Sequence, residues 1–276
     1  MLVQVQELEN DVPESALLIT LYNDLGDAYK GRYAYGEALV WYEKGFALTQ
    51  KKANLEGQVR TLRNIGDALL FSGRLSDSIR YYERLLALSR ELLYRAGEAI
   101  SLCILGSAYF SLCQYHRSIF FNQQHFYIAL EIGDRQGEAA SLGNLGNAHY
   151  FLDQYQQAID LQQQSLEIAR EIGDRNGEAR FLGNLGLAYY SLGEYQQAID
   201  FHQQSLEIAR ELGDRNGEAN SQFNSGLVFV KLHQKEAART AFKEAQQLYA
   251  AMGLSKKVKK CKEQLQSLNE SEQNAN

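Results

Sequence analysis

Apolar residues recur at three- and four-residue spacing along most of this chain, which is the period of amphipathic helices packed on one face. Between Arg175 and Asp214, for example, Leu182, Leu185, Ala188 and Tyr189 mark one helix. A break follows at Leu192-Gly193-Glu194, and Tyr195, Ala198, Ile199, Phe201, Leu206, Ile208 and Ala209 mark a second. Gly213 is placed to end that second helix in a left-handed cap, and Asp214 to N-cap the helix after it. With one proline, Pro13, and abundant Ala, Leu, Gln and Glu, the composition favours helix throughout.

The helix pair is written six times. Gly26, Gly66, Gly106, Gly146, Gly186 and Gly226 stand forty residues apart, and twelve residues after each comes a small residue: Ala38, Ser78, Ser118, Ala158, Ala198 or Ala238. The fourth and fifth copies agree at about thirty of forty positions, the signature of a duplicated structural unit. A glycine inside a helix costs about 1 kcal/mol against alanine. Six of them at one phase imply close helix crossing, with the glycine of the first helix facing the small residue of the second. The junctions of the early copies, Lys52-Ala53-Asn54 and Leu93-Tyr94, lack the Gly-Asp of the later ones.

Leu185-Gly186, the aromatic Tyr189 and Ala198 resemble the tetratricopeptide repeat, and the longer wording GDRNGEARFLGNLGLAY is similar to the Pins/LGN-type polarity adaptors and, more distantly, to kinesin light chain. The resemblance implies an all-α, right-handed superhelical solenoid of six helix-turn-helix repeats. The resemblance also implies a concave groove, lined by the first helix of each repeat, in which partners are held. The glycine period itself sets the repeats at 15–252, after an N-terminal leader at 1–14 with room for some helix. The apolar spacing of Leu254, Val258, Cys261, Leu265 and Leu268 marks a capping helix at 253–269, and the polar end at 270–276 is expected to be disordered.

Composition narrows the function. The 276 residues are 45% apolar and carry a net charge of −6, which gives nucleic acid no electrostatic reason to bind. No apolar run is long enough to span a membrane, and three unpaired cysteines (Cys103, Cys113 and Cys261) fit a reduced cytoplasmic setting. The five histidines have no pair at three- or four-residue spacing that could share a metal, and His149, which replaces a core tyrosine, reads as packed. The glycines of GNLGN follow no strand and precede no Gly-Lys-Ser/Thr, so they are no phosphate loop. No cofactor, metal or catalytic constellation is expected, and the chain does not read as an enzyme.

Binding residues follow from helical phase. Two residues before each repeat glycine lie Asp24, Asn64, Ile104, Asn144, Asn184 and Asn224. A carboxamide both donates and accepts, so a row of asparagines suits the backbone of an extended peptide. Six before each glycine, Arg60 and Arg180 match positions that carry arginine in Pins-type grooves, with Arg63 beside the first; they suit acidic side chains on the partner. Asn147, Tyr150 and Tyr190 extend the candidate surface, the tyrosines as an aromatic ledge.

A second face is suggested by the third repeat, where Phe120 and Tyr127 replace Asp160/Asp200 and Glu167/Glu207 of the later copies. Two outward aromatics in place of acids point to a partner or dimer face, which allows a homo-oligomer. Lys256, Lys257, Lys259, Lys260 and Lys262 crowd the last helix, as a solubilising cap or a site for an anionic partner. The sequence therefore reads as a protein–protein adaptor holding an extended or partly helical peptide segment. A regulatory sensor that changes shape on a small signalling peptide and a self-assembling structural solenoid are the alternatives.

Overall fold

The computed structural model describes residues 16–273; the expected leader at 1–14 and the end of the chain at 274–276 lie outside the described residues. Among the described residues there are thirteen helices and no strands. They are α1 (Ala16–Lys30), α2 (Tyr35–Lys51), α3 (Leu55–Phe71), α4 (Leu75–Glu91), α5 (Arg95–Ser111), α6 (Tyr115–Ile132), α7 (Arg135–Tyr150), α8 (Tyr155–Glu171), α9 (Arg175–Leu192), α10 (Tyr195–Leu212), α11 (Arg215–Lys231), α12 (Lys235–Ala251) and α13 (Ser255–Gln273). The last helix runs past residue 269 to Gln273, so the part of the expected disordered tail that is described is helical.

The chain divides into two compact units, one ending at Ile132 and one beginning at Gly133. The first holds three helix pairs, α1/α2 to α5/α6. The second holds α7/α8 to α11/α12 and then α13. Within each unit every helix packs against its sequence neighbours, as in a tetratricopeptide solenoid. In the first unit Tyr42, Ile65, Tyr82, Leu85, Leu102 and Leu105 are fully buried; in the second, Ile159, Phe181, Leu182, Leu185 and Phe242 are. In the second unit α13 packs on α12 and sinks Cys261 and Leu268, while Lys256, Lys259, Lys260 and Lys262 stay exposed.

The repeat glycines do make room for a close approach, but not for the small residue twelve positions on. Each Cβ, if added, would strike the side chain sixteen residues later. At Gly66 that is Tyr82, at Gly146 Gln162, at Gly186 His202 and at Gly226 Phe242. The small residue lies beside this contact, fully buried, and Ser78 donates its hydroxyl to the Gly66 carbonyl at 2.8 Å. The glycine is thus a socket for a large knob from the second helix, and the knob varies: Tyr42, Tyr82, Asn122, Gln162, His202, Phe242.

The repeat junctions keep one geometry whatever their sequence. Gly133, Gly173 and Gly213 adopt φ values of 72°, 70° and 69°, and Ala53 and Leu93 adopt the same left-handed backbone at 49° and 54°. Asp134, Asp174 and Asp214 accept from the amides of Gly137, Gly177 and Gly217, and Asn54 does the same from Gly57. Tyr94 makes no such cap. The rest of the GDRNGEA wording is structural as well. Glu178, nearly buried, takes Arg170 of the preceding helix at 2.8 Å and Arg175 at 2.5 Å, and Arg175 reaches on to Glu211. Arg90, Arg95, Glu98 and Glu131 repeat this network in the first unit. Burial acts to raise the carboxyls of Glu98 and Glu178, but the hydrogen bonds and charges of their arginines outweigh it and hold both below the ordinary glutamate value.

Candidate functional site

In the second unit, α9, α11 and α13 wall a groove of about 720 Å³. Its lining includes Ser205, Ala209 and Ser221, and among its polar side chains are Arg180, Asn184, Asn220, Asn224, Lys257 and Lys260, together with the carboxylates Asp174 and Asp214. Arg180 is exposed, its guanidinium 4.8 Å from the centre of the Phe181 ring, with no carboxylate partner among the described residues. Asn184 is half-buried and makes one long bond, 3.4 Å, to Gln162. Asn224 is half-buried and keeps its amide free among the described residues. Asn220 is engaged, accepting from the Tyr249 hydroxyl at 2.8 Å and from Lys257 at 2.9 Å. The Lys257 ammonium also sits 4.9 Å over the Tyr249 ring and bonds Asn216 at 3.1 Å, so it is held facing into the groove. Arg180, Lys257 and Lys260 face Asp174 and Asp214, both of which cap helices.

The first unit has its own groove of about 880 Å³, lined by Asp27, Lys30, Arg60, Arg63, Asn64 and Asp67 and walled by Val59, Leu92, Leu93, Tyr94 and Ile100. Here the sequence-predicted residues are largely committed. Arg60 bonds Asp24 at 3.0 Å and approaches Asp27 at 3.6 Å. Asn64 is buried and donates to Asn23, which donates in turn to Thr61. Tyr42 donates to Asp27 at 2.7 Å and Tyr82 to Asp67; burial, then these bonds, push both phenols up. Arg63 is exposed.

The remaining predicted residues line neither groove. Asn147 accepts from Gln162 at 2.9 Å, and Asn144 is half-buried. Tyr150 packs on Tyr155 with 5.5 Å between ring centres and bonds Ser191, and Tyr190 packs on Tyr195 at 5.7 Å, so the aromatic ledge is mainly contact within each helix pair. Phe120 and Tyr127 are exposed, at 59% and 67%. His149 is packed, as expected, with Nδ1 2.5 Å from the Gln154 carboxamide oxygen.

Sequence reasoning missed the lysines as groove residues. The signal was present: Lys260 stands forty residues after Asn220 and eighty after Arg180, so the arginine row continues onto α13 once α13 is counted as the first helix of a seventh, half-written repeat.

A family model, the tetratricopeptide repeat, matches residues 17–91, 97–171 and 177–251. Among curated proteins none matches the sequence. Solved structures share the fold at low identity. A signal-transduction ATPase with a tetratricopeptide repeat sensor from Pyrococcus horikoshii is 16% identical with a TM-score of 0.78, over 93% of this chain and 40% of that one. The apo form of RapI is 16% identical with a TM-score of 0.75, over 93% of this chain and 99% of that one. The nearly identical tetratricopeptide-like repeats of a kinesin light chain from Podosopora anserina are 19% identical with a TM-score of 0.60, over 71% and 96%.

Proposed function

Because the chain belongs to the tetratricopeptide repeat family, we infer that it is a protein-binding adaptor, and that the groove of the second unit holds an extended segment of its partner. The observation that carries this reading is the pair of under-used carboxamides, Asn184 and Asn224, one repeat apart on neighbouring first helices, flanked by Arg180, Lys257 and Lys260. Carboxamides offer a donor and an acceptor to successive peptide groups, and the cations suit an acidic side chain or a terminal carboxylate. Arg180 on α9 and Lys257 and Lys260 on α13 line the same groove as the amide pair, which favours a short segment carrying more than one negative charge. Binding rather than catalysis is the role this chemistry serves, in a cytoplasmic setting. The first-unit groove, with Arg60 and Asn64 already partnered, offers a surface of its own that is apolar along Leu92, Leu93 and Tyr94.

The test begins with peptides selected from a displayed random library on the full chain. Their affinity is then measured by calorimetry against wild type, N224A with R180Q, and a control, E167Q. We expect selected peptides enriched in Asp and Glu, a tenfold or greater loss in the groove variant and no loss in the control. Selected peptides that bind wild type and groove variant alike would overturn the assignment.

A further inference from the structure

Away from both grooves, the first unit carries a small cleft of about 200 Å³ between α2, α4 and the end of α3. Leu69 and Tyr81 wall it, Arg74, Arg80 and Arg84 rim it, and Glu43 and Asp77 stand at its edge. Three guanidinium groups against two carboxylates leave it net positive in a chain whose total charge is −6.

These arginines are not required by the repeat. In the fourth and fifth copies the positions of Arg80 and Arg84 hold Asp160 and Gln164, then Asp200 and Gln204. Like charges four residues apart on a helix cost about 0.2–0.5 kcal/mol, so the second repeat carries them against a small penalty. Among the described residues neither has a carboxylate partner. Arg84 is nonetheless held in place: its guanidinium lies 4.8 Å from the centre of the Phe46 ring and 5.7 Å from that of Tyr81. Stacking fixes the plane of the group while leaving its N–H donors unused. Arg74 is fixed differently, through two bonds to one oxygen of Asp77 at 2.9 and 2.7 Å, which also neutralise that carboxylate.

A cleft this small is below the roughly 300–1,000 Å³ of small-molecule sites, so it fits one tetrahedral oxyanion and a few flanking atoms, not a nucleotide. A phosphomonoester carries up to two charges and three acceptor oxygens, the match for two unpaired guanidinium forks. The chain's overall negative charge disfavours a long polyanion or an anionic membrane, whereas a phosphorylated side chain brings its charge as a single point. We propose that Arg80 and Arg84, seated beside Leu69 and Tyr81, form a recognition site for a phosphorylated side chain on a partner protein.

The experiment follows the arginine Nε–H resonances of the full chain by NMR at constant ionic strength. Three probes are added separately: the N-acetyl amide of phosphoserine, the same amide of serine, and inorganic phosphate. The expected result is a saturable shift of Arg80 and Arg84 with the phosphoserine amide and none with serine. Affinity should be higher at pH 7.5 than at pH 5, since the second phosphate ionisation lies near about 6. The R80D, R84Q variant copies residues that the fourth and fifth repeats already tolerate, so its melting temperature should hold while affinity falls at least tenfold. If it melts early, R80Q alone is the variant to read. No saturable shift, equal shifts with serine, or shifts confined to other arginines would overturn the proposal. So would binding of inorganic phosphate without the phosphoserine amide, which would mean an adventitious ion only.

Discussion

His202 is fully buried under Gly186, and neither ring nitrogen finds a hydrogen-bond partner among the described residues. Burial pulls its pKa from the ordinary 6.5 to about 4. The folded state therefore holds the neutral ring, and the contribution is present above pH 6.5 and lost as pH falls from 6.5 towards 4. That loss amounts to about 3 kcal/mol. Phe242 fills the same socket one repeat later, against Gly226. His202→Phe should raise stability at pH 7 by about 1–3 kcal/mol, the range for removing buried unpartnered polar atoms. It should also flatten the fall in stability between pH 6.5 and 4, read by urea denaturation at a series of pH values. A variant as acid-sensitive as wild type would show that another group sets the response. The sequence made the socket legible through six glycines in phase, but not its occupant. Glycine spacing reports where two backbones approach; which side chain enters depends on the crossing geometry of two helices, which a list of periodic positions does not contain. The same limit applied to Asn64. Its phase placed it correctly on the first helix, yet the bond to Asn23 that occupies it arises from a neighbour in the preceding repeat.

At the scale of helices and junctions, the Gly-Asp signal was read correctly where it is written, and the structure shows the same turn where it is not. Leu93 sits at φ 54° and is 79% exposed, at the position held by Gly133, Gly173 and Gly213 in later repeats. A left-handed backbone costs a residue with a Cβ about 1–2 kcal/mol, partly offset by glycine's greater freedom when unfolded. Leu93→Gly should therefore stabilise the chain by about 1 kcal/mol, and Gly173→Leu, where an added Cβ would meet nothing within 4 Å, should lose a similar amount through backbone strain alone. Denaturant midpoints measure both; a destabilised Leu93→Gly would mean that the leucine side chain contributes more by packing along the first-unit groove than the turn costs. The tertiary packing of the flanking helices imposes the turn and overrides local preference, which is why the early junctions were hard to place from sequence. The cation row was missed for a related reason: α13 lacks the repeat glycine, with Gln266 in its place, so counting by glycines stopped one helix too soon.

For the whole molecule, contacts run mainly between neighbouring helices, so stability is a sum over repeats and interfaces rather than one all-or-none quantity. The two units differ in how well their junctions are made. The second has left-handed glycines followed by capping aspartates at Gly173-Asp174 and Gly213-Asp214. The first has Ala53 and Leu93 in the same strained backbone, and Tyr94 without a cap. A missing cap costs about 1 kcal/mol and each left-handed non-glycine residue a similar amount, so the first unit should open at lower denaturant. Within the second unit, the fifth repeat is packed on both sides and joined through Glu178 and Glu211 to two arginines, so α9 and α10 should hold the slowest-exchanging amides. Hydrogen exchange followed by mass spectrometry, at increasing urea, resolves this peptide by peptide. Leu93→Gly supplies the decisive comparison, because it should raise protection in α4 and α5 and leave α9 and α10 unchanged. Uniform protection across all helices, or a Leu93→Gly gain that appears equally in the second unit, would mean that the chain unfolds as one cooperative body and that junction chemistry does not set its weak point.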